Sequence, residues 1–319
     1  MLRTLLLFLS KQKWAQRLIS NWKFAWRIAS RFVAGETQED ALQVIQKLNE
    51  RGIIATVDFI GENTNSPEEA HRAANEVLQM LEKLNKQNLR ANVSVKLSQM
   101  GLALDPSLCQ ENMGMILQKA RECNNYIRID MEDSSLTDAT IGIYKWAHDN
   151  GFENVGIVFQ SNLFRSEEDI QMLQSYGVHV RMCKGAYKEP PEIAYSKKQQ
   201  VDENFDRLTV LLFEISKDAG MPDLSDDGRV PPIPAIATHD DRRIKYAREK
   251  AEEMGLPKTA LEFQLLHGIR RELQDELCSA GYPVRIYVPY GVNWYPYFMR
   301  RLAERPANLW FFVSNFFQK

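Results

Sequence analysis

The chain has 319 residues, of which 44% are hydrophobic and 26% are charged, and its formal net charge at neutral pH is −2. This composition is that of an ordinary globular protein, and a charge so close to zero argues against general nucleic-acid binding. A chain of this length can bury roughly three quarters of its unfolded surface, which suffices for one large domain.

The cysteines and histidines predict neither disulfide bonds nor a metal site. The four cysteines lie inside apolar patterns without Cys-x-x-Cys spacing, so we expect reduced core thiols of an intracellular protein. The five histidines form no His-Glu-x-x-His pair, so the sequence does not predict a metal site.

The N-terminus is basic and rich in tryptophan. Residues 1–35 hold seven basic residues and no acidic one, and Trp14, Trp22 and Trp26 are interleaved with them. The apolar run 5–9 is too short to span a bilayer. We interpret residues 1–50 as an N-terminal helical segment. It either packs on the body of the protein or on another subunit, or it lies on an anionic membrane surface. A mitochondrial transit peptide would share the Arg-rich, acid-poor composition.

From residue 53 onward, short apolar runs alternate with longer amphipathic helical patterns, which is typical of repeated βα units. Eight such units without a change in composition predict an α/β fold, a closed (β/α)8 TIM-type barrel over residues 51–319 with extra N-terminal helices. No Gly-x-Gly-x-x-Gly follows the first strand, which disfavours a dinucleotide-binding sheet. The predicted strands are 53–60, 92–98, 126–132, 155–160, 178–184, 233–240, 261–267 and 284–288.

The longest connection, residues 185–232, contains a helical segment followed by a polar, proline-rich stretch at 221–234. A lid over the site is one interpretation of that stretch. We predict instead a solvated linker that leads into the sixth strand.

Polar residues follow or end seven of the predicted strands, where a parallel barrel builds its active site. With Arg300 and Arg301 of the last helix counted in, Lys96, Arg181 and Lys184 give cations an excess over Asp130, Glu132 and Glu62, so we expect an anionic ligand, for example a phosphate-bearing cofactor together with a carboxylate substrate. Two alternatives remain open at this point: a Schiff-base lysine at Lys96 or Lys184, as in an aldolase-type barrel, and a ligand-binding barrel without catalysis. The residues are Glu62, Lys96, Asp130, Glu132, Gln160, Arg181, Lys184, Thr238, His239, Asp240 and Tyr287.

The stretch 284–308 predicts the last strand, a turn, and a helix with Pro296 in its first turn. On that helix Tyr297, Arg300, Arg301 and Glu304 share one face, which places two guanidinium groups between a phenol and a carboxylate. Such a face can hold a small anion. An ordinary surface pair between Arg300 and Glu304 is the alternative.

Several motifs in sequence order make the chain resemble the proline dehydrogenases, FAD-dependent barrels that oxidise L-proline. They are SVKLS around Lys96, IDMED around Asp130, RMCKGAY at 181–187, ATHD around His239, EFQLLHG around His267, and RIYVPYG followed by YPYFMRRLAERPAN. The resemblance covers residues 53–315 and is to the monofunctional bacterial branch. The chain departs from the bifunctional branch in a connection between Tyr287 and Arg300 that is two residues shorter, and in Asp240 where that branch has Asn.

The resemblance implies a role for each matching residue. Asp130 and Arg181 would belong to the catalytic centre, with Arg181 near the flavin N5. Lys96, Arg300 and Arg301 would bind the proline carboxylate, Tyr287 and Tyr297 would pack on the ring, and Glu62 and Glu304 would serve as gate and support. The FAD-binding residues would be Met131, Gln160, Arg181, Lys184, Gly185, Ala186, Thr238 and His239.

The same resemblance implies the reaction and its partners. L-proline would be oxidised to 1-pyrroline-5-carboxylate by hydride transfer to FAD, the first step of proline catabolism to glutamate. The electrons would pass to a membrane quinone, so we expect a cytoplasmic protein with a peripheral contact at the inner membrane face. The basic N-terminus and the aromatic tail with Trp310 and Phe311 are the candidates for that contact, with packing across the barrel as the alternative for the tail.

Overall fold

The computed structural model describes residues 23–61 and 64–304, together with Leu9, Ser10, Gln12, Trp14 and Gln16. Eight parallel strands form a closed barrel in which each strand pairs with its neighbours in chain order and β8 returns to β1. This confirms the predicted (β/α)8 fold. The strands are β1 (Ile54–Phe59), β2 (Ala91–Val95), β3 (Ile127–Ile129), β4 (Val155–Gln160), β5 (Val180–Cys183), β6 (Pro234–Ala237), β7 (Glu262–Leu266) and β8 (Val284–Tyr290).

Helices follow the strands and precede β1, as the amphipathic stretches predict. They begin at helix-favouring signals such as Ser66, whose hydroxyl accepts the Glu69 N–H ahead of a proline at the first helical position. The helices are α1 (Lys23–Ala29), α2 (Gln38–Asn49), α3 (Pro67–Lys86), α4 (Pro106–Glu122), α5 (Thr137–Asp149), α6 (Ser166–Leu173), α7 (Lys198–Asp218), α8 (Asp241–Glu253), α9 (Arg271–Ser279) and α10 (Trp294–Glu304).

Most strands are shorter than predicted, and the residues lost lie largely at their C-terminal ends. Lys96, Asp130 and Lys184, for example, follow their strands instead of ending them. These residues leave the sheet where the chain turns outward, which places their side chains at the mouth of the barrel. β8 is instead longer than predicted and runs to Tyr290. The Pro289 and Tyr290 carbonyls accept hydrogen bonds from the N–H groups of Ala34 and Ile60, which extends the strand.

The barrel interior is polar and ionised, whereas the large apolar core lies between the strands and the surrounding helices. Deep inside, Arg285 and Glu262 form an ion pair in which both side chains are fully buried. Arg285 also donates to the carbonyls of Ala55 and Gly228. A pair of this kind is strongly destabilising to break, because either partner alone would be a buried, uncompensated charge.

The proline-rich stretch 221–234 closes the N-terminal end of the barrel, so the predictions of a solvated linker and of a lid are both wrong. Arg229 is buried and donates to the Leu89 and Cys123 carbonyls, while its own carbonyl accepts from Asn92. These partners lie at the starts of β2 and β3, opposite the catalytic end. Buried backbone carbonyls need donors, and the sequence gives no direct sign that a loop arginine supplies them.

A second, smaller apolar cluster lies at the other end of the barrel. It joins residues 23–36, which we call the N-terminal strap, to α10. Of the two arrangements predicted for the N-terminus, packing on the body is the one found for the strap. Most of residues 1–22 and all of residues 305–319 lie outside the described residues, as does Glu62. Within the described part of the chain, no helix is long and apolar enough to cross a membrane.

Candidate active site

Asp130 lies at the centre of a network at the barrel mouth. Its carboxylate accepts hydrogen bonds from Arg181 Nη1 at 2.6 Å and from the Tyr287 hydroxyl at 2.7 Å, and Lys96 Nζ is 3.4 Å away. Burial opposes ionisation, but Arg181 and Lys96 outweigh it and lower the pKa of Asp130 below its usual range. The buried carboxylate of Asp130 is thus in direct contact with three other predicted site residues, and the four residues come from four different strands or strand ends.

Asp58 is the closest partner of Lys96, and sequence reasoning missed it. Its carboxylate is 2.7 Å from Lys96 Nζ and its side chain is only 3% exposed. Burial raises the pKa of Asp58, against the opposing attraction of Lys96. A signal was present: Thr56 and Asp58 are two polar residues two positions apart in an apolar strand, so they point into the same side of the barrel.

Arg181 is held on two sides. Besides Asp130, it donates from Nη2 to the Ser94 hydroxyl at 2.8 Å, a second residue that the sequence did not single out. Its guanidinium lies 5.3 Å from the centre of the Tyr287 ring, a cation–π distance. Burial and the nearby carboxylates raise the pKa of Tyr287, so the phenol stays protonated and donates to Asp130. Arg181 and Tyr287 therefore fix each other.

The innermost charges balance. Lys96 and Arg181 face Asp58 and Asp130, and both cations are in ion pairs with these carboxylates. The predicted excess of cations is therefore wrong for this inner layer. The reason is that Asp58 was not counted, and an anionic ligand must draw its net attraction from the layer above.

Lys184 lies in a second ionic cluster at the ends of β5 and β6. Its ammonium contacts Asp202 and is 2.6 Å from Asp240, while Lys198 contacts both carboxylates from the other side. Burial would raise the pKa of Asp240, but Lys184 holds it at about 2. The second oxygen of Asp240 accepts the Arg242 N–H and caps α8. Lys96 and Lys184, the two candidates for a Schiff-base lysine, are each ion-paired with two carboxylates, so neither presents the unpaired amine that the Schiff-base alternative requires.

The predicted cofactor residues form one continuous arc from β3 to β6. Gln160 donates to the Glu132 carbonyl, and His239 Nε2 accepts the Leu266 N–H, which places its ring proton on Nδ1. Thr238 Oγ1 accepts the Asp240 N–H, so backbone contacts orient all three side chains. The other members of the arc are Met131, Arg181, Lys184, Gly185 and Ala186.

Two buried polar atoms on this arc fit a polar cofactor. Among the described residues, neither Arg181 Nε nor Asn162 Oδ1 has a hydrogen-bond partner. Asn162 Oδ1 lies 2.2 Å from where a Cβ on Gly185 would be, and Gly185 has φ +103°, so only glycine fits there. A buried donor and a buried acceptor without a protein partner fit a site for a polar ligand. A flavin nucleotide offers acceptors to the first and donors to the second.

The helix α10 follows β8 at the C-terminal end of the barrel and packs there with Ile60 and Ile269, near the ends of β1 and β7; we call it the outer layer. Tyr297 is buried, and Arg301 and Arg300 are partly buried, with the Arg301 guanidinium 5.1 Å from the Tyr297 ring centre. The predicted grouping of these three residues is thus present on the helix. The side chain of Glu304 lies outside the described residues, so the alternative of an Arg300–Glu304 surface pair stays a prediction, as does the gate role of Glu62.

A closed parallel barrel with an ionised network at its C-terminal mouth and an arginine-bearing helix above it defines a TIM-type barrel enzyme. Residues 41–313 match the family model described as proline dehydrogenase. The chain therefore belongs to the proline dehydrogenase family.

Similar proteins agree with this assignment. Proline dehydrogenase 1 of Bacillus subtilis (strain 168) is 37% identical over 320 residues, covering 100% of both chains. The proline dehydrogenase of Deinococcus radiodurans is 38% identical over 294 residues, covering 91% of this chain and 90% of that protein. Both relatives are single-function proteins by name, which confirms the resemblance to the monofunctional branch.

A solved structure supports the fold. Proline utilization A from Bdellovibrio bacteriovorus, inactivated by N-propargylglycine, superposes with a TM-score of 0.78 at 26% identity. The match covers 88% of this chain and 33% of the other, so this chain spans about a third of that longer protein.

Proposed function

We propose that this chain oxidises L-proline to 1-pyrroline-5-carboxylate, the first step of proline catabolism to glutamate. The observation that carries the proposal is the mouth of the barrel, where Lys96, Asp130, Arg181 and Tyr287 form one network and α10 brings two arginines to the same end. Membership of the proline dehydrogenase family supports it.

The outer layer would bind the substrate carboxylate. Arg300 and Arg301 lie next to each other on α10, and a planar guanidinium grips a carboxylate through two parallel hydrogen bonds. Lys96 would add a third contact from below, while Tyr287 and Tyr297 would pack on the pyrrolidine ring. Glu62 and Glu304 would serve as gate and support for this helix. Because the inner charges balance, the two arginines supply the net positive charge that selects an acid.

FAD would be held by Met131, Gln160, Arg181, Lys184, Gly185, Ala186, Thr238 and His239 and, when bound, would accept the hydride from the ring carbon next to nitrogen. Arg181 Nε is buried and has no hydrogen-bond partner among the described residues, and Arg181 would lie close to the reactive edge of the flavin. Lys184 is already neutralised by Asp202 and Asp240, so it would position a phosphate rather than supply net charge.

The carboxylate-binding cations Lys96, Arg300 and Arg301 would keep the substrate amine neutral, and the inner network would keep the substrate aligned. Hydride loss needs the nitrogen lone pair, and cations around the carboxylate disfavour an ammonium nearby. Asp130 is fully occupied by Arg181, Tyr287 and Lys96, and its lowered pKa makes it a poor proton acceptor. We therefore assign Asp130 the role of orienting Lys96 and Arg181, and the alignment of the C–H bond provides most of the rate enhancement.

The electrons would leave to a membrane quinone, and the protein would act in the cytoplasm with a peripheral contact at the inner membrane face. The excess of basic residues and the tryptophans in residues 1–35 support a contact with an anionic lipid surface. We propose residues 1–50 as an N-terminal helical segment and residues 51–319 as the barrel that carries the FAD site.

The test uses the purified full-length protein. We expect a yellow protein whose flavin absorbance is lost when L-proline is added without oxygen, with 1-pyrroline-5-carboxylate formed in equal amount. D-proline is the matched control, because it has the same charges but presents a different face of the ring. A colourless protein that cannot be loaded with FAD, or equal reduction by both enantiomers, would contradict the proposal.

A further inference from the structure

The second ionic cluster joins the helix α7 to the predicted cofactor residues. Lys184 follows β5 and Asp240 follows β6, whereas Lys198 begins α7 and Asp202 lies one turn later on the same helix. Of these four residues, Lys184 is the one that also belongs to the arc predicted to hold the cofactor. The charges that α7 brings to Lys184 therefore bear on whatever Lys184 binds.

Two carboxylates hold the Lys184 ammonium between them. Lys184 Nζ is 2.5 Å from Asp202 Oδ1 and 2.6 Å from Asp240 Oδ2. An ammonium has three N–H donors, so among the described residues these contacts leave one donor for a further acceptor. One ammonium between two carboxylates leaves a net charge of −1 on these three groups, however, and a negative group would repel an anionic ligand.

Lys198 brings the missing positive charge from the solvent side. Its ammonium contacts Asp202 and lies 3.5 Å from Asp240 Oδ2, so it is paired with the same two carboxylates as Lys184. Its side chain is 76% exposed, whereas that of Lys184 is 24% exposed. The hydrogen bond to Asp202 raises the pKa of Lys198, which keeps the ammonium charged at neutral pH. With Lys198 included, two cations face two carboxylates and the four groups are neutral together.

The neighbouring Arg243 on α8 does not replace Lys198. Arg243 Nε is 2.9 Å from Asp206 Oδ1, whereas Arg243 Nη1 is 3.6 Å from Asp202. Burial raises the pKa of Asp206 to about 6, so this carboxyl is ionised at pH 8. At that pH the pair of Arg243 and Asp206 is neutral as a unit. It does not supply the charge that Lys198 brings.

We propose that Lys198 is a positioning residue of the cofactor site, which neutralises the second carboxylate beside Lys184 and so leaves the Lys184 ammonium to the negatively charged diphosphate of FAD. The proposal rests on the proposed function, in which Lys184 positions a phosphate of FAD. Lys198 itself need not touch the cofactor, because it acts through Asp202 and Asp240 on the charge around Lys184.

The experiment measures the dissociation constant of FAD by fluorescence titration of the full-length protein, after removal of bound flavin, at pH 8 and low salt. Lys198→Gln is expected to raise this constant roughly 2- to 5-fold, the size of effect that an exposed charge pair has. Lys198→Arg keeps the charge and should restore the wild-type value. The effect of Lys198→Gln should shrink in concentrated sodium chloride, because salt screens exposed charges.

The matched control is Lys197→Gln, which removes the same charge one residue earlier. The Lys197 side chain is exposed and makes no capping hydrogen bond to α7. Within the part of the chain that the structure describes, it is in no ion pair with Asp202 or Asp240. Lys197→Gln should therefore leave the dissociation constant of FAD at its wild-type value.

A double variant tests charge rather than contact. Asp240→Asn keeps the oxygen that caps α8 but removes one negative charge, so in the Lys198→Gln background it should return the dissociation constant of FAD towards the wild-type value. An unchanged constant in Lys198→Gln, an equal increase in Lys197→Gln, or no recovery in the double variant would overturn the role of Lys198 alone. A wild-type protein that does not bind FAD would overturn the proposed function, and the role of Lys198 with it.

Discussion

Removal of the Arg181 guanidinium should destabilise the protein strongly, because it would leave Asp130 as a buried charge. The two side chains are 7% and 12% exposed and only 2.6 Å apart. Breaking a buried pair by removing one partner costs about 3–5 kcal/mol. Tyr287 and Lys96 remain as partners of Asp130. We therefore expect Arg181→Met to lower the free energy of unfolding by about 3 kcal/mol, the lower end of that range.

The pH dependence of this loss follows from Asp130. In the wild type its pKa is lowered, so its contribution to stability is present above the unfolded pKa of about 3.9 and is lost as the pH falls. In Arg181→Met, burial is no longer outweighed by the guanidinium and the pKa of Asp130 rises. The folded variant then binds a proton more readily, so its deficit relative to the wild type should be smaller at pH 5 than at pH 7.

The assay is urea unfolding followed by fluorescence of the six tryptophans, at both pH values. The double variant Asp130→Asn/Arg181→Met keeps an oxygen for Tyr287 and Lys96 but removes the buried charge. It should recover about 2 kcal/mol of the loss, a coupling energy within the range seen for contacting residues. Two results would refute the account of Asp130 as a charge held by Arg181. One is that the losses of Asp130→Asn and Arg181→Met simply add in the double variant. The other is that the deficit of Arg181→Met is no smaller at pH 5 than at pH 7.

Four further variants, one of them followed as a function of pH, test other parts of the site and fold. Arg301→Lys keeps the charge but loses the planar fork, so kcat/KM for L-proline should fall roughly tenfold or more, the loss of about 1.5–3 kcal/mol of charge-assisted bonding; unchanged kinetics would contradict carboxylate binding by Arg301. Lys184→Met removes the ammonium that Asp202 and Asp240 share, so that Lys198 is the lysine that remains on both carboxylates, and it should reduce the flavin retained per protein after gel filtration; full retention would exclude a cofactor role. Glu262→Gln leaves Arg285 as a buried, unpaired cation and should lower the free energy of unfolding in urea by about 3–5 kcal/mol, and a loss below about 1 kcal/mol would refute this. Burial lowers the pKa of His179 to about 4, so the unfolded state binds more protons and stability should fall between about pH 6.5 and pH 4; His179→Gln should flatten that slope.

Sequence periodicity was sufficient to predict the barrel, because each strand is a short apolar run between turn signals and its neighbours are next in the chain. The positions of Lys96, Asp130, Arg181 and Tyr287 followed from the same rule, since parallel strands end at one mouth. Asp58 and Ser94 could not be ranked in this way. The contacts in the closed barrel show that they face Lys96 and Arg181.

The long connections were the least predictable part. Asp202 lies on α7, eighteen residues after Lys184, and nothing in the spacing shows that the helix returns to the end of β5. The proline-rich stretch before β6 has the composition of a solvated linker, yet Arg229 makes it a buried closure of the barrel. In both cases a tertiary ion pair or hydrogen bond decides the position, and local pattern carries no information about such partners.

The two layers of the site differ in how firmly the fold holds them. Lys96, Asp130, Arg181 and Tyr287 lie on or directly after strands, and each is tied to another of the four by an ion pair or hydrogen bond. The arginines above them lie on a helix that packs against the second apolar cluster, apart from the barrel core. Chemistry that depends on alignment over a cofactor needs the rigid layer, whereas substrate must enter and leave past the outer one. On the proposed roles, the division of the apolar residues into two clusters therefore separates the helix that would bind the substrate from the strands that hold the inner charges.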